Sequence, residues 1–226
     1  QENILTPGTY YINPYLFSVA KRKQTVVNQG AVAVLISNIG KDPTEFTGEG
    51  TAEEKRGTRH VVPKGYRGIQ RDVLGPGHYN INPLAYSAII IPTNTRSVDW
   101  SAEKTRKDSS GTFDPFRVVS HDGFPMQVEV RCQYRVLPEN APYVVQKIGS
   151  IEELEQNVIH PQIDGIFRAQ VSRSPAISYQ QNRAEEQKAA ESAVRDDLSK
   201  YRVEVVSVMI TNIHLPEQLM KTTQQK

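Results

Sequence analysis

The chain has 226 residues, enough for one large domain or two small ones, and its 27 Lys and Arg against 25 Asp and Glu leave a formal charge of +2. That balance excludes the basic stripe of a nucleic-acid surface, and the single cysteine, Cys132, excludes an internal disulfide and a cysteine-based zinc site. An apolar fraction of 38% is ordinary for a soluble domain, and the longest apolar runs, 31–36 and 88–91, fall far short of a membrane span.

The phrase Pro-Gly-x-Tyr-x-Ile-Asn-Pro occurs twice, from Pro7 to Pro14 and from Pro76 to Pro83, and Phe17-Ser18 is matched by Tyr86-Ser87. Proline presets φ and glycine accepts the positive φ of a type II turn, so each Pro-Gly pair predicts a turn. Tyr and Ile then alternate along a short strand that Asn-Pro ends. Pro7, Gly8, Asn13 and Pro14, with Pro76, Gly77, Asn82 and Pro83, are the expected turn residues. Two copies suggest two β units of one kind, stacked or side by side. Gln1 is an unusual first residue, so the chain is expected to be an excised or processed piece, with any anchor outside it.

Valine- and isoleucine-rich segments over 25–28 and 31–37 predict strands separated by Gln29-Gly30. Before them, Lys21-Arg22-Lys23 has the size of a solvated strand end, although three charges could also touch anionic headgroups. Residues 41–59 hold one large apolar residue, Phe46, which predicts an exposed, mobile loop. Strands resume at His60-Val61-Val62, turn at Pro63-Lys64-Gly65, and return over 87–92 and 95–100. The charged, small-residue stretch 102–112 predicts a second loop.

Residues 116–120 lead into Asp122-Gly123, a pair favoured in two-residue hairpin turns. The return strand alternates, with Met126, Val128, Val130, Cys132, Tyr134 and Val136 on a dry face. Gln127, Glu129, Arg131, Gln133 and Arg135 line a wet or partner-binding face. Ser150-Ile151-Glu152-Glu153 is a capping box, and apolar residues from Ile151 to Val171 follow at three- and four-residue steps, with Pro161 set to kink or divide the helix. After Ser174-Pro175 a helix is expected over 178–200, then a strand over 203–211. A final helix opens at His214-Leu215-Pro216-Glu217.

No residue set assembles a catalytic, cofactor or metal site. Cys132 sits on an apolar strand face eleven residues from His121, the place of a buried small side chain and not of a thiol-imidazole pair. His60, His78, His121, His160 and His214 are isolated. Glu152, Glu153 and Glu155, with Asp196 and Asp197, are expected on solvated helix faces. Tyr15-Leu16-Phe17 and Leu84-Ala85-Tyr86 follow the two Asn-Pro turns, where Tyr15, Leu16, Phe17, Leu84 and Tyr86 suit either a membrane interface or packing on a neighbouring β unit. Arg183, Glu186 and Arg195 on the 178–200 helix suit either a contact with the next protomer or a solvated face, and with Leu215 and Leu219 on the last helix, the stronger candidates, they are the candidate oligomer contacts.

Taken together, Gly65-Tyr66-Arg67-Gly68-Ile69 with Gly75-Pro76-Gly77-His78-Tyr79, the hairpin from Ser120 to Val136, and the order helix (183–201), strand (203–213), Leu215-Pro216 resemble the SPFH or band 7 family of stomatins, prohibitins and flotillins. Where that family usually has glycine after the tyrosine that ends the helix, in a left-handed cap, this chain has Arg202. The added leading repeat over 4–18 is similar to the arrangement in some bacterial flotillin-like proteins. The resemblance implies an α+β fold: an N-terminal β repeat unit over 1–59, an SPFH domain over 60–214 and a coiled-coil helix starting in 215–226. It implies a non-enzymatic scaffold without cofactor, associated with membrane lipids and assembled into a large homo-oligomeric ring or cage. A regulatory adaptor that binds a membrane protease or channel as a small assembly is the alternative.

Overall fold

Alternation along one long strand sets the core. A computed structural model describes residues 4–5, 8–45, 60–102 and 111–216, and the chain divides into two units. The first comprises Gln1–Thr93 with Ala141–Lys147, and the second Asn94–Asn140 with Ile148–Lys226. Pro7, most of the 41–59 and 102–112 loops, Leu219 and the expected C-terminal helix lie outside the described residues.

In the first unit, β1 (Thr25–Val27) and β2 (Ala31–Ser37) precede β3 (Val61–Val62), β4 (Gly68–Gln70), β5 (Gly77–Tyr79) and β6 (Tyr86–Pro92). A four-stranded sheet has the order β3-β4-β2-β6, and β1 pairs with β5 in a separate ribbon. The β2–β6 pair is antiparallel with Val34 opposite Ile89, and β-branched residues on both strands suit a half-buried pleat. Val32, Ala33, Val34, Val61, Val62, Ile69 and Ile91 form its core. Over them packs α1 (Ala141–Lys147), burying Ala141, Val144 and Val145. Helix α1 was not expected because Pro138, Asn140 and Pro142 resemble a loop; Pro142 is tolerated in a first turn, where its missing N–H has no helical partner to lose.

The Pro76-Gly77 pair does not make the expected turn. Gly77 is already the first residue of β5, and a Cβ there would come within 3.3 Å of the Tyr79 ring. Tyr79 folds back to donate its hydroxyl to the Gly75 carbonyl at 3.0 Å. Gly8 and Tyr10 repeat the arrangement, with the same 3.3 Å approach.

The second unit holds β7 (Arg96–Trp100), β8 (Gly111–Phe113), β9 (Phe116–Val119), β10 (Pro125–Arg135) and β11 (Glu204–His214). The order is β11-β10-β7-β8, with β9 also on β10. The start of β10 pairs with β9 and its end with β7, while β11 runs along the whole strand with irregularities near Glu129 and Gln133. Met126, Val128, Val130, Cys132, Tyr134 and Val136 are all buried, as the alternation predicts. Each contributes about 1.5–3 kcal/mol if its side chain is fully removed from water, less for the smallest.

The helices that cover this face are α2 (Ile151–Leu154), a π turn (Glu155–Ile159), α3 (His160–Val171), α4 (Ala176–Gln181) and α5 (Arg183–Ser199). Ser150 and Glu153 form the expected capping box. Pro161 does divide the helix: it enters the first turn of α3 directly after the π turn, whose wider loop sends the His160 amide back to the Glu155 carbonyl. The helix expected over 178–200 is two, broken where Asn182 leaves helical geometry at φ −94° and ψ 23°. The Asp122-Gly123 hairpin also differs. Its closing pair is Ser120 and Phe124, with three residues between and Gly123 at φ 85°, because Asp122 is engaged elsewhere.

Candidate functional site

Glu155 corrects the sequence expectation of a solvated helix carboxylate. Glu152, Glu153 and Asp196 are exposed and Asp197 is half-buried, but Glu155 is buried. It accepts the Tyr134 hydroxyl at 2.6 Å and Arg96 Nε at 3.0 Å, tying β10 and β7 to the π turn. The π turn adds a residue to the helical cycle and so rotates Glu155 inward. Burial, then the Glu155 carboxylate beside it, pushes the Tyr134 phenol well above its ordinary range. Burial works against the Arg96 charge, yet Tyr134 and Glu155 hold its pKa above the usual value. Next to this cluster Trp100 Nε1 donates to His160 Nδ1 at 2.8 Å, and the His160 ring stacks on Phe113 with centroids 4.2 Å apart. These polar groups hold one another, and the arrangement fixes the register of the sheet against the helices.

The opposite face of the sheet is polar, as its sequence predicts. Arg131 forms a bidentate pair with buried Asp99 at 2.6 and 2.9 Å. Ser207 donates to Gln133 at 3.1 Å, and Arg135 forks onto Glu204 at 2.8 and 3.0 Å. Hydrogen bonding from Arg135 draws the Glu204 carboxyl below the usual carboxylate range. The face therefore carries a ladder of cross-strand pairs.

The candidate oligomer contacts on α5 have partners inside the chain. Arg183 donates to the carbonyls of Ile210 and Thr211, and Glu186 accepts the Ser174 hydroxyl at 3.0 Å. Arg195 pairs with Glu191 one turn away at 2.6 Å, and Leu215 is half-buried just beyond β11. At the end of α5 the amide of Arg202 reaches the Ser199 carbonyl and that of Val203 the Leu198 carbonyl, a Schellman closure. It requires a left-handed residue, and Arg202 supplies it at φ 59°, the only non-glycine with positive φ among the described residues. The left-handed cap implied by the resemblance is thus present without its glycine, at a cost of roughly 1–2 kcal/mol.

The two Asn-Pro turns share one geometry. Asn13 Oδ1 accepts the Tyr15 amide at 2.9 Å, and Asn82 Oδ1 accepts the Leu84 amide at 3.0 Å. Their surroundings differ. Tyr15, Leu16 and Phe17 are 96%, 74% and 56% exposed. Leu84 is exposed too, but Ala85 is buried and Tyr86 half-buried as the first residue of β6. Tyr86 is thus part of the sheet and not of an exposed tip.

At the β9–β10 turn, Asp122 accepts the Ser120 hydroxyl and also the Ala176 amide at 3.1 Å, while the His121 amide donates to the Ser174 carbonyl. The hairpin thereby caps α4 from a distance of 54 residues in sequence. The Ser120 hydroxyl, joined by that amide, holds the Asp122 carboxyl below its ordinary value. Cys132 is buried, and desolvation pushes its thiol up to about 12, which leaves no thiolate at neutral pH. Among the described residues no three His, Cys, Asp or Glu side chains gather as a metal site.

The family described as SPFH domain / Band 7 family matches residues 25–226, spanning both units. No curated protein matches the chain.

Proposed function

We propose that this chain, which belongs to the SPFH domain / Band 7 family, is the membrane-associated repeating unit of a non-enzymatic oligomeric scaffold. The observation that carries this reading is the family match from β1 onward. Among the described residues no helix is long and apolar enough to cross a membrane, so association with the bilayer rests on surface contacts or on a segment outside those residues. The exposed Tyr15-Leu16-Phe17 turn is the candidate contact of this chain.

Such a protein works by geometry. A sheet pinned to its helices through Glu155 is a stiff block, and stiff blocks joined by one repeated heterologous contact close into rings or cages. In this reading the leading turn motif is part of an added N-terminal β repeat, as in flotillin-like members, and the chain beyond Leu215 continues into a coiled coil that forms the wall. The enclosed area is a membrane microdomain with its resident proteins.

Electron microscopy of the full-length protein extracted in mild detergent, with particle mass measured on the same sample, tests this. Uniform rings or cages of many copies are expected. Small particles of one to three copies that persist on dilution would sink the scaffold reading and favour a regulatory adaptor of a membrane protease or channel.

A further inference from the structure

We infer that the first Pro-Gly-x-Tyr motif is a docking segment whose receiver is a pair of consecutive valine-rich strands of the β1–β2 kind, from a repeat placed before it in the polypeptide. The inference stands whether or not the copies close into a ring.

The second motif shows what a docked copy looks like. Its β5 pairs with β1, with Val26 opposite His78. Beyond the Asn82 turn the Asn38 amide donates to the Ala85 carbonyl at 2.8 Å, and Tyr86 pairs with Ser37 as β6 runs along β2. Both receiving strands come before the motif in the chain. Docked in this way, Ala85 is 3% exposed, while Leu84 at the tip remains 84% exposed.

The first motif has the same internal geometry without such a receiver. The Asn13 carbonyl accepts the Leu16 and Phe17 amides at 3.2 and 3.1 Å, as the Asn82 carbonyl accepts those of Ala85 and Tyr86 at 3.1 and 2.9 Å. The side-chain bond of the asparagine and the close approach of glycine to the tyrosine ring recur as well. Yet Leu16, the counterpart of Ala85, and Phe17, the counterpart of Tyr86, are mostly exposed, and Gly8 and Thr9 lie in no strand. A formed turn that holds two adjacent apolar side chains in water is preorganised for a partner, because docking it costs little further ordering.

The second motif also says which partner. In each copy of this chain β1 and β2 are already taken by that motif, so a second copy offers no vacant pair and the receiver is a further one. Its first strand would give backbone bonds to Thr9, as Val26 stands opposite His78, and its second would end in a residue whose amide reaches the Leu16 carbonyl. Tyr15, the counterpart of Leu84, would stay outside and remain available to a bilayer.

The test is hydrogen exchange of residues 8–19 in the full-length protein, with 77–88 of the same sample as the internal standard. Exchange should be slowed at least about tenfold relative to the isolated 226-residue chain. In the full-length protein Leu16→Asp should return it to the fast rate, while Tyr15→Asp should leave it slow. Leu16→Asp should leave the melting temperature of the isolated chain unmoved, which shows that the variant folds. A photo-crosslinking residue in place of Leu16 should join a valine-rich strand that precedes the motif in the same polypeptide. Fast exchange in the full-length protein overturns the inference. So do equal effects of the two aspartates with cross-links to lipid, which make the turn a bilayer contact, and cross-links to 25–38 of another copy, which make it an exchange between protomers. Particle mass on the same sample reports separately on the scaffold reading.

Discussion

The amide of Ile210 donates to Gln187 at 3.2 Å, and the Ile210 carbonyl accepts from Arg183 one turn earlier on the same helix. Strand β11 is the last strand of its sheet, and an edge strand presents unpaired backbone to any extended chain nearby. Two side chains of α5 seal this stretch of the edge, and Arg183 also takes the carbonyl of Thr211, which has no opposite residue on β10. A helix with a narrow apolar stripe, Ala190, Val194 and Leu198, is in this way joined to the sheet by polar contacts as well.

Replacing Gln187 by alanine leaves the Ile210 amide without its acceptor and should cost about 1–3 kcal/mol in urea unfolding. Arg183→Ala should cost a similar amount. The double variant should also associate in a concentration-dependent way, visible by light scattering, because the edge is open. A double variant as stable and as monodisperse as the parent would show that these contacts do not guard the edge.

Glu155 joins the sheet of the second unit to its helices through Tyr134 and Arg96. Its removal in Glu155→Ala strands the guanidinium of Arg96 and the hydroxyl of Tyr134 among buried groups. The expected loss is about 3–5 kcal/mol, the usual result of breaking one side of a buried pair. Glu155→Gln keeps a hydrogen-bond acceptor and should lose clearly less. Equal losses for the two variants, measured by urea or thermal unfolding, would mean that packing at the π turn matters and the charge does not.

Much of this was legible beforehand, for physical reasons that also explain the rest. The dry face of β10 was readable because period-two alternation runs unbroken from Met126 to Val136, and the cap at Ser150 because its two partners stand three residues apart. The left-handed position at Arg202 was implied by the family resemblance, whose members usually carry glycine there, and not by any local pattern. Strand β8 was not readable: Gly111, Thr112 and Phe113 lie at the end of a charged stretch and are strand only because β7 lies beside them. The inward turn of Glu155 depends on one extra residue in a helical cycle, which no local pattern announces. Asp122 was found as a turn residue, but its capping of α4 is a tertiary contact that spacing cannot show.

Cys132 supplies a pH dependence with a definite sign. Its thiol is raised from about 9 to about 12 in the folded chain by burial, so the folded state keeps the proton where the unfolded state releases it. Its contribution is therefore fully present below the unfolded pKa and is lost as pH rises through the window from about 9 to about 12. Cys132→Val fills the same buried site without an ionisable group and should show a shallower fall in melting temperature between neutral and strongly alkaline buffer. Tyr134 and Tyr179 are shifted upward too, with burial the leading cause in each, so the slope should be reduced and not abolished. An unchanged slope in the valine variant would remove Cys132 from the alkaline transition.

The equivalence of the two Asn-Pro turns leads to an asymmetric prediction. Asn13 and Asn82 make the same side-chain bond to the second residue after them, yet the chain around Asn82 is tied into a sheet. Ala85 is buried and accepts the Asn38 amide at 2.8 Å, and β6 begins at Tyr86. Around Asn13 the side chains that follow it, from Pro14 to Ser18, are exposed. Asn82→Ala should therefore destabilise the chain by about 1 kcal/mol, the ordinary worth of such a bond, while Asn13→Ala should leave its melting temperature unmoved. The comparison also reads assembly. Under the proposed assembly, a contact that covers Tyr15, Leu16 and Phe17 would make Asn13→Ala as costly as Asn82→Ala. Equal costs in the isolated chain would instead mean that the first turn is already held by this chain's own residues, contrary to its exposure.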